Sequence, residues 1–260
     1  MLLTIDIGNT ETKLGLFAPG AQRPTHRWRV TTDARRTPDE YGAFVTQLFG
    51  AAEVSPHAAT AVVVASVVPP LDAVVEEACV RYLNVAPVFL KAHRQRLIDV
   101  LTERPNEVGA DLIAVAIGAR ALHGSPLIVV SYGTATVFMA ISAAGKYVGV
   151  AIAPGINISI DALAERTAKL PQVALEDPGR ALGTTTIQAL QAGIVYGFVG
   201  QTEALVGRFR AEMGCRAPVV ATGGLAGTIA KHTDIISAVE PDASLIGLRL
   251  FHESHAGTSA

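Results

Sequence analysis

Aromatic residues make up only 5% of this 260-residue chain, and long hydrophobic runs are missing. The apolar stretches 61–65 and 127–130 fall far short of the ~20 residues a membrane span needs, so no membrane partner is expected. Charge of one sign is missing too: 21 Lys and Arg stand against 23 Asp and Glu, a net charge of −2. That balance argues against nucleic acid as a partner and leaves small anionic ligands open. Cysteine is scarce. Cys79 and Cys215 are too few for a disulfide scaffold and stand in no C-x-x-C or Cys/His spacing, so a reduced, cytoplasmic location is expected. The start, Met1 to Asp6, carries no basic segment or small-residue cleavage site. The histidines at 26, 57, 93, 123, 232, 252 and 255 show no metal-ligand spacing. Neither G-x-x-x-x-G-K-S/T nor G-x-G-x-x-G occurs, which removes the main support for P-loop and Rossmann folds.

What is present is a chain half hydrophobic and 17% charged, the composition of a folded protein. Two segments share one design. Residues 2–17 and 127–141 each read as an apolar strand, a Gly-Asn-Thr or Gly-Thr-Ala-Thr turn, and a second apolar strand. They lie about 125 residues apart, and the echo predicts a duplicated, two-lobe protein. Further strands are expected at 27–32, 60–67, 88–91, 146–151 and 217–221. Helices are expected at 38–49, 71–83, 109–122, 157–168 and 185–213, with a frayed tail at 252–260. In the longest helix Ile187, Leu190, Ile194, Phe198 and Leu205 form a stripe for a core or an interface. Strands alternating with helices mean an α/β fold.

Three glycine turns carry candidate chemistry. Asp6-x-Gly8-Asn9-Thr10 can surround a phosphate with backbone N–H groups and a hydroxyl, because glycine lets the backbone approach closely. Lys13 can add positive charge, and Asp6 offers Mg²⁺ a hard oxygen ligand. Gly133-Thr134-Ala135-Thr136 can form a second cradle, and Thr222-Gly223-Gly224 can leave a flat gap for a nucleoside. An ordinary hairpin turn explains any one of these as well; the three in this order favour the phosphate reading. Asp111 reads as a cap of the 109–122 helix, as a base, or as both. Arg94 and Arg96, read as flanking a helix start, are open to solvent or to an anionic ligand, and Cys79 reads as inert packing.

In these turns, and in Ala65 to Leu71, Asn106 to Asp111, Gly149 to Gly155, Leu163 to Pro171 and Gln191 to Ile194, the chain resembles the type III pantothenate kinases, of the actin/Hsp70/sugar-kinase superfamily. The resemblance implies two ribonuclease-H-like lobes, the actin-like ATPase fold, with a nucleotide cleft between them. The lobes are expected at 1–117 and 118–260. It implies ATP-dependent phosphorylation of pantothenate, the first step toward coenzyme A, with Mg²⁺ and a monovalent cation, K⁺ or NH₄⁺, usually in a homodimer. Carried over by position, Asp6, Gly8, Asn9, Thr10 and Lys13 resemble the first phosphate motif, and Gly133, Thr134 and Thr136 the second. Thr222, Gly223 and Gly224 resemble the adenosine motif, and Gly109, Asp111 and Thr186 resemble substrate-site residues, Asp111 being the general base.

Some positions depart from the family pattern. Leu112 stands where an arginine is expected, and Ser131 where an aspartate helps hold the monovalent cation. Thr102 replaces a tyrosine, Arg104-Pro105 an Asn-Pro, Met139 a later aspartate, and Glu11 the second asparagine of Gly-Asn-Thr-Asn. Most of these lie on the acceptor and cation side, while the nucleotide-side turns are largely intact. Two other readings therefore stand beside the pantothenate kinase: a catalytically degenerate paralogue that binds nucleotide or a protein partner, and a kinase for another small hydroxyl compound.

Overall fold

The computed structural model describes residues 1–93 and 95–256, with no side-chain detail at 256. Arg94 and the tail residues 257–260 lie outside the described residues. The chain divides into two compact units, Met1–Leu122 with Asp242–Ala260, and His123–Pro241.

The first unit holds β1 (Leu2–Ile7), β2 (Glu11–Phe17), β3 (His26–Thr31), α1 (Pro38–Ala51), β4 (Ala61–Ser66), α2 (Pro69–Ala78), β5 (Val88–Phe89) and α3 (Ala110–His123). The second unit holds β6 (Leu127–Tyr132), β7 (Ala135–Ile141), β8 (Tyr147–Pro154), α4 (Ile156–Arg166), α5 (Thr186–Met213), β9 (Val219–Thr222), α6 (Ala226–Ala230) and β10 (Ala238–Val239). The last helix, α7 (Ala243–Ala256), returns to the first unit. The sheets run β3-β2-β1-β4-β5 and, read from the other edge, β8-β7-β6-β9-β10. The pairings correspond one to one: two antiparallel pairs on the hairpin side, two parallel pairs on the other. The internal echo in the sequence is thus a duplicated topology.

Both hairpins form as expected. β1 is buried along its whole length, which is why Leu-Leu-Thr-Ile-Asp-Ile shows no alternation: a strand covered on both faces reads as a continuous apolar run. Leu3, Ile5 and Ile7 pack in one core with Tyr41, Val45 and Phe49 of α1 and Leu71 and Val75 of α2. Gly15 lies between Leu245 of α7 and the Thr4 hydroxyl, each 3.0 Å from where its Cβ would be. α1 starts where the sequence places it, through a reciprocal capping box between Thr37 and Glu40.

Three expectations change. Pro69 and Pro70 do not precede α2 but form its first residues, because proline lacks only an N–H that the first turn leaves unbonded anyway. Residues 252–256 are not frayed; they are the last residues of α7. The lobe boundary expected at 117/118 falls inside α3, and α7 crosses to the first unit. The cause is a close helix crossing. An added Cβ on Gly118 would lie 1.9 Å from the Ala243 carbonyl oxygen, and one on Gly247 would lie 1.8 Å from that of Ala114. Only glycine at both positions lets the backbones approach this closely. Buried Asp242, just before α7, accepts two hydrogen bonds from Arg27 of β3, at 2.9 and 3.2 Å.

Among the described residues around Arg96 no helix starts. Gln95 instead ties the loop: its amide donates to the carbonyls of Ala92 and Ile98, and its Oε1 accepts from the N–H groups of Leu97 and Ile98. Cys79 is buried, with its thiol pushed up to about 12 by burial, which matches inert packing. On α5, Ile194 and Phe198 are core while Ile187 is exposed.

Candidate active site

The first group of candidate residues gathers at the carboxyl end of β1. Asp6 is buried and pairs across the ladder with Lys13 of β2 and Ala65 of β4. The turn beyond it closes through the Gly8 N–H, which donates to the Glu11 carbonyl at 3.1 Å. A side chain on Gly8 would press on that carbonyl at 3.0 Å. Asn9 and Thr10 are exposed at the tip.

β4 runs parallel to β1, so it ends on the same side, and the Val67 N–H bonds the Ile7 carbonyl at 3.1 Å. Gly109 sits against Val67 and leads into α3. A Cβ there would lie 3.3 Å from Val67 Cγ1 and within 2.4 Å of Asp111 Oδ1. The bare glycine therefore leaves the space that the Asp111 carboxylate fills. Asp111 is half-buried, and its Oδ1 accepts from the Leu112 N–H at 2.8 Å. It satisfies one of the unbonded donors of the helix start and still feels the charges of Asp6 and Lys13. Burial pushes its carboxyl up to about 6, the negative charge of Asp6 pushes the same way, and Lys13 opposes both.

The second group lies at the corresponding end of the second sheet. Ser131 holds the position in β6 that Asp6 holds in β1, and it pairs with Thr222 of β9 and Val137 of β7. Gly133 and Thr134 are exposed in the turn, whereas Thr136 is fully buried and its hydroxyl has no hydrogen-bond partner. Presenting the Thr136 hydroxyl to a phosphate requires the turn to shift. Thr222 is buried, Gly223 half-buried and Gly224 exposed. Gly223 has φ +96, and a Cβ on it would come within 2.3 Å of the Tyr132 carbonyl oxygen, so this turn needs glycine twice over. Thr186 is exposed as the first residue of α5, after the N-cap Thr185.

Of the supports, sequence reasoning marked the stretch Gly149 to Gly155 and passed over Tyr132 and Thr202. Gly155 caps α4, and a Cβ on it would lie 2.0 Å from the Thr134 carbonyl oxygen, so α4 packs directly on the second turn. Tyr132 is buried behind the same turn and shares a 2.7 Å hydrogen bond with Thr202 of α5. Gly155 follows Pro154 at a strand end, a local signal; the Tyr132–Thr202 pair spans 70 residues and left none.

The sequence model of the type III pantothenate kinase family matches residues 2–208. The type III pantothenate kinase of Myxococcus xanthus is 44% identical over 257 residues, 98% of this chain and all of that protein. That of Anaeromyxobacter sp. strain K is 46% identical over 253 residues, 97% of this chain and 99% of the relative. Among solved structures, the activator of the 2-hydroxyisocaproyl-CoA dehydratase from Clostridium difficile superposes with a TM-score of 0.57 at 11% identity, covering 99% of this chain and 97% of that one. The ethanolamine utilization protein EutJ from Carboxydothermus hydrogenoformans gives 0.58 at 15% identity, covering 96% and 89%. At these identities the superpositions speak for the fold alone, the actin-like ATPase fold.

Proposed function

This chain belongs to the type III pantothenate kinase family, and on that footing we propose that it transfers the γ-phosphoryl group of ATP to the primary hydroxyl of pantothenate, with Asp111 as general base. The observation that carries this reading is the Asp111 carboxylate, seated in the space that Gly109 leaves and held at the start of α3 by the Leu112 N–H, where burial pushes it up to about 6. A primary alcohol is a poor nucleophile, and a carboxylate that is ionised at neutral pH yet basic enough to accept a proton suits it. As the hydroxyl O–H bond breaks, its proton goes to Asp111. The oxygen forms a bond to the γ-phosphorus, the bond to the β-phosphate oxygen breaks, and ADP leaves. Lys13 and the N–H groups of the Gly8 turn offset phosphate charge. In the second unit the Gly133 turn and the Thr222-Gly223-Gly224 turn are the candidate nucleotide-binding residues.

Asp6 fits a Mg²⁺ ligand: it is a buried carboxylate near the end of β1, and Mg²⁺ bound to a nucleotide needs only one or two carboxylates beside phosphate and water. When bound, the ion neutralises charge on the transferring phosphoryl group; Asp6 is the residue that would hold it. A monovalent cation fits less well, because Ser131 supplies one neutral oxygen in place of a carboxylate.

The protein, MgATP and pantothenate, with and without K⁺, are expected to give a phosphopantothenate peak by mass spectrometry, with little change on adding K⁺. Absence of product from protein that still binds ATP would favour the acceptor-altered or degenerate reading.

The quaternary state we infer is a homodimer through the second unit. Gly193, Gly197, Gly200 and Gly207 recur on one face of α5, all exposed, with nothing within 4 Å of an added Cβ. The edge strand β8 exposes Val148, Val150 and Ile152, the last at 68%. A small-residue face lets a second helix approach, and the apolar edge gives it surface to bury. Sedimentation should show a dimer for the wild type and a monomer for Gly197→Arg; a monomeric wild type would refute the assignment. Among the described residues no helix is long and apolar enough to cross a membrane, and both cysteines are free.

A further inference from the structure

α7 carries a charge that the proposed reaction does not use. The Arg249 side chain is 6% exposed, its Nη1 donates to Glu253 Oε1 one turn on, and its buried Nε has no hydrogen-bond partner. Removing a guanidinium from water is costly unless its charge and its donors are matched. The match here is thin, because Glu253 is itself 54% exposed. Arg249 lines a cavity of about 240 Å³, with Leu2 of β1, Phe17 of β2, Gly20, Thr60 and His252 among the walls. The cavity opens at the amino end of β1, while Asp6 lies at the carboxyl end. Leu2 and Asp6 are four residue steps apart along the strand, about 13 Å.

We propose that this cavity binds a small oxyanion, a phosphate or the carboxylate of a small organic acid, on the guanidinium of Arg249. Such groups match the arginine fork. The apolar side chains of Leu2 and Phe17 suit a short hydrocarbon attached to the anion, and His252 offers a further ring nitrogen. Glu253 holds the place of the ligand. Being 54% exposed, its carboxylate can turn into solvent when the anion enters, and the anion then takes over the charge of Arg249.

Calorimetric titration of the whole protein with inorganic phosphate, and separately with propionate, tests this. A saturating non-hydrolysable ATP analogue is present to block phosphate sites of the nucleotide. At least one anion is expected to bind the wild type, to bind Glu253→Gln at least about threefold more tightly because the competing carboxylate is gone, and to lose binding in Arg249→Met. Phosphate alone would identify phosphate or a phosphate ester as the ligand, and propionate alone an organic acid. No heat with either anion, even in Glu253→Gln, overturns the proposal and leaves a structural ion pair. Binding unchanged by Glu253→Gln overturns it as well, by placing the anion elsewhere; this comparison decides alone if Arg249→Met fails to fold.

Discussion

Asp111→Asn is expected to lower kcat/KM for pantothenate phosphorylation by about 100- to 10,000-fold, the usual contribution of a positioned general base, while making the protein more stable at neutral pH. Both effects come from one feature. Asp111 stands half-buried beside Asp6, and burial first, then that like charge, lift its carboxyl to about 6 from an ordinary 3.8. In the wild type, kcat/KM should rise with pH through an apparent pKa near 6 as the base ionises. The sign of the stability effect follows from the same shift. The folded state holds the Asp111 proton more tightly than the unfolded chain, so ionising it costs native stability as pH climbs from about 4 to about 6. Above that range the cost is fully present, and asparagine removes it while still accepting the Leu112 N–H. Because the group keeps part of its surface in water, the gain is on the order of 1–2 kcal/mol rather than the full shift, a few degrees in Tm. Melts at pH 7.5 and pH 4 separate the cases: the gain should be present at the higher pH and shrink toward zero at the lower. A less stable Asn variant at pH 7.5, or a wild-type rate profile flat from pH 5 to 7, would remove Asp111 from the role of base.

Gly247→Ala should cost the most stability of any single-methyl change considered, about 3 kcal/mol, the upper part of the range for overpacking. The new methyl would point at the Ala114 carbonyl oxygen from 1.8 Å, and the mirror change Gly118→Ala at the Ala243 carbonyl from 1.9 Å. The obstacle in each case is backbone, which cannot rotate aside as a side chain can, so α3 and α7 must move apart and loosen the packing of Leu245 over Gly15 and Thr4. Since α3 carries Asp111 near its start, activity should fall along with stability. Gly50→Ala in α1, with nothing within 4 Å of the added methyl, is the control; it should be neutral or stabilising by less than about 1 kcal/mol. Urea titration of the three variants measures this. Equal midpoints for Gly50→Ala and Gly247→Ala would mean that the crossing is not tight in solution.

The sequence by itself determined the parts that rest on neighbours in the chain. The hairpins at 2–17 and 127–141 were legible because strand patterning and Gly-Asn or Gly-Thr turn chemistry act within a few residues. The start of α1 was legible because Thr37 caps its own helix. The glycine turns and Asp111 could be singled out as candidates for the same reason, and their order along the chain identified the family. α7 carried a readable signal in the spacing of Leu245, Leu248 and Phe251, which are buried on it, but its place could not be read. That place depends on two glycines about 130 residues apart meeting across a helix crossing. Only the tertiary structure decided that the Asp111 carboxylate accepts from the first turn of α3, that Thr134 is exposed while Thr136 is buried, and that Arg249 is closed in beside a cavity. Each of these depends on which groups distant in sequence share a small volume: local pattern fixes which way a strand or helix presents its residues, while burial and the charge of neighbours fix what those residues can do.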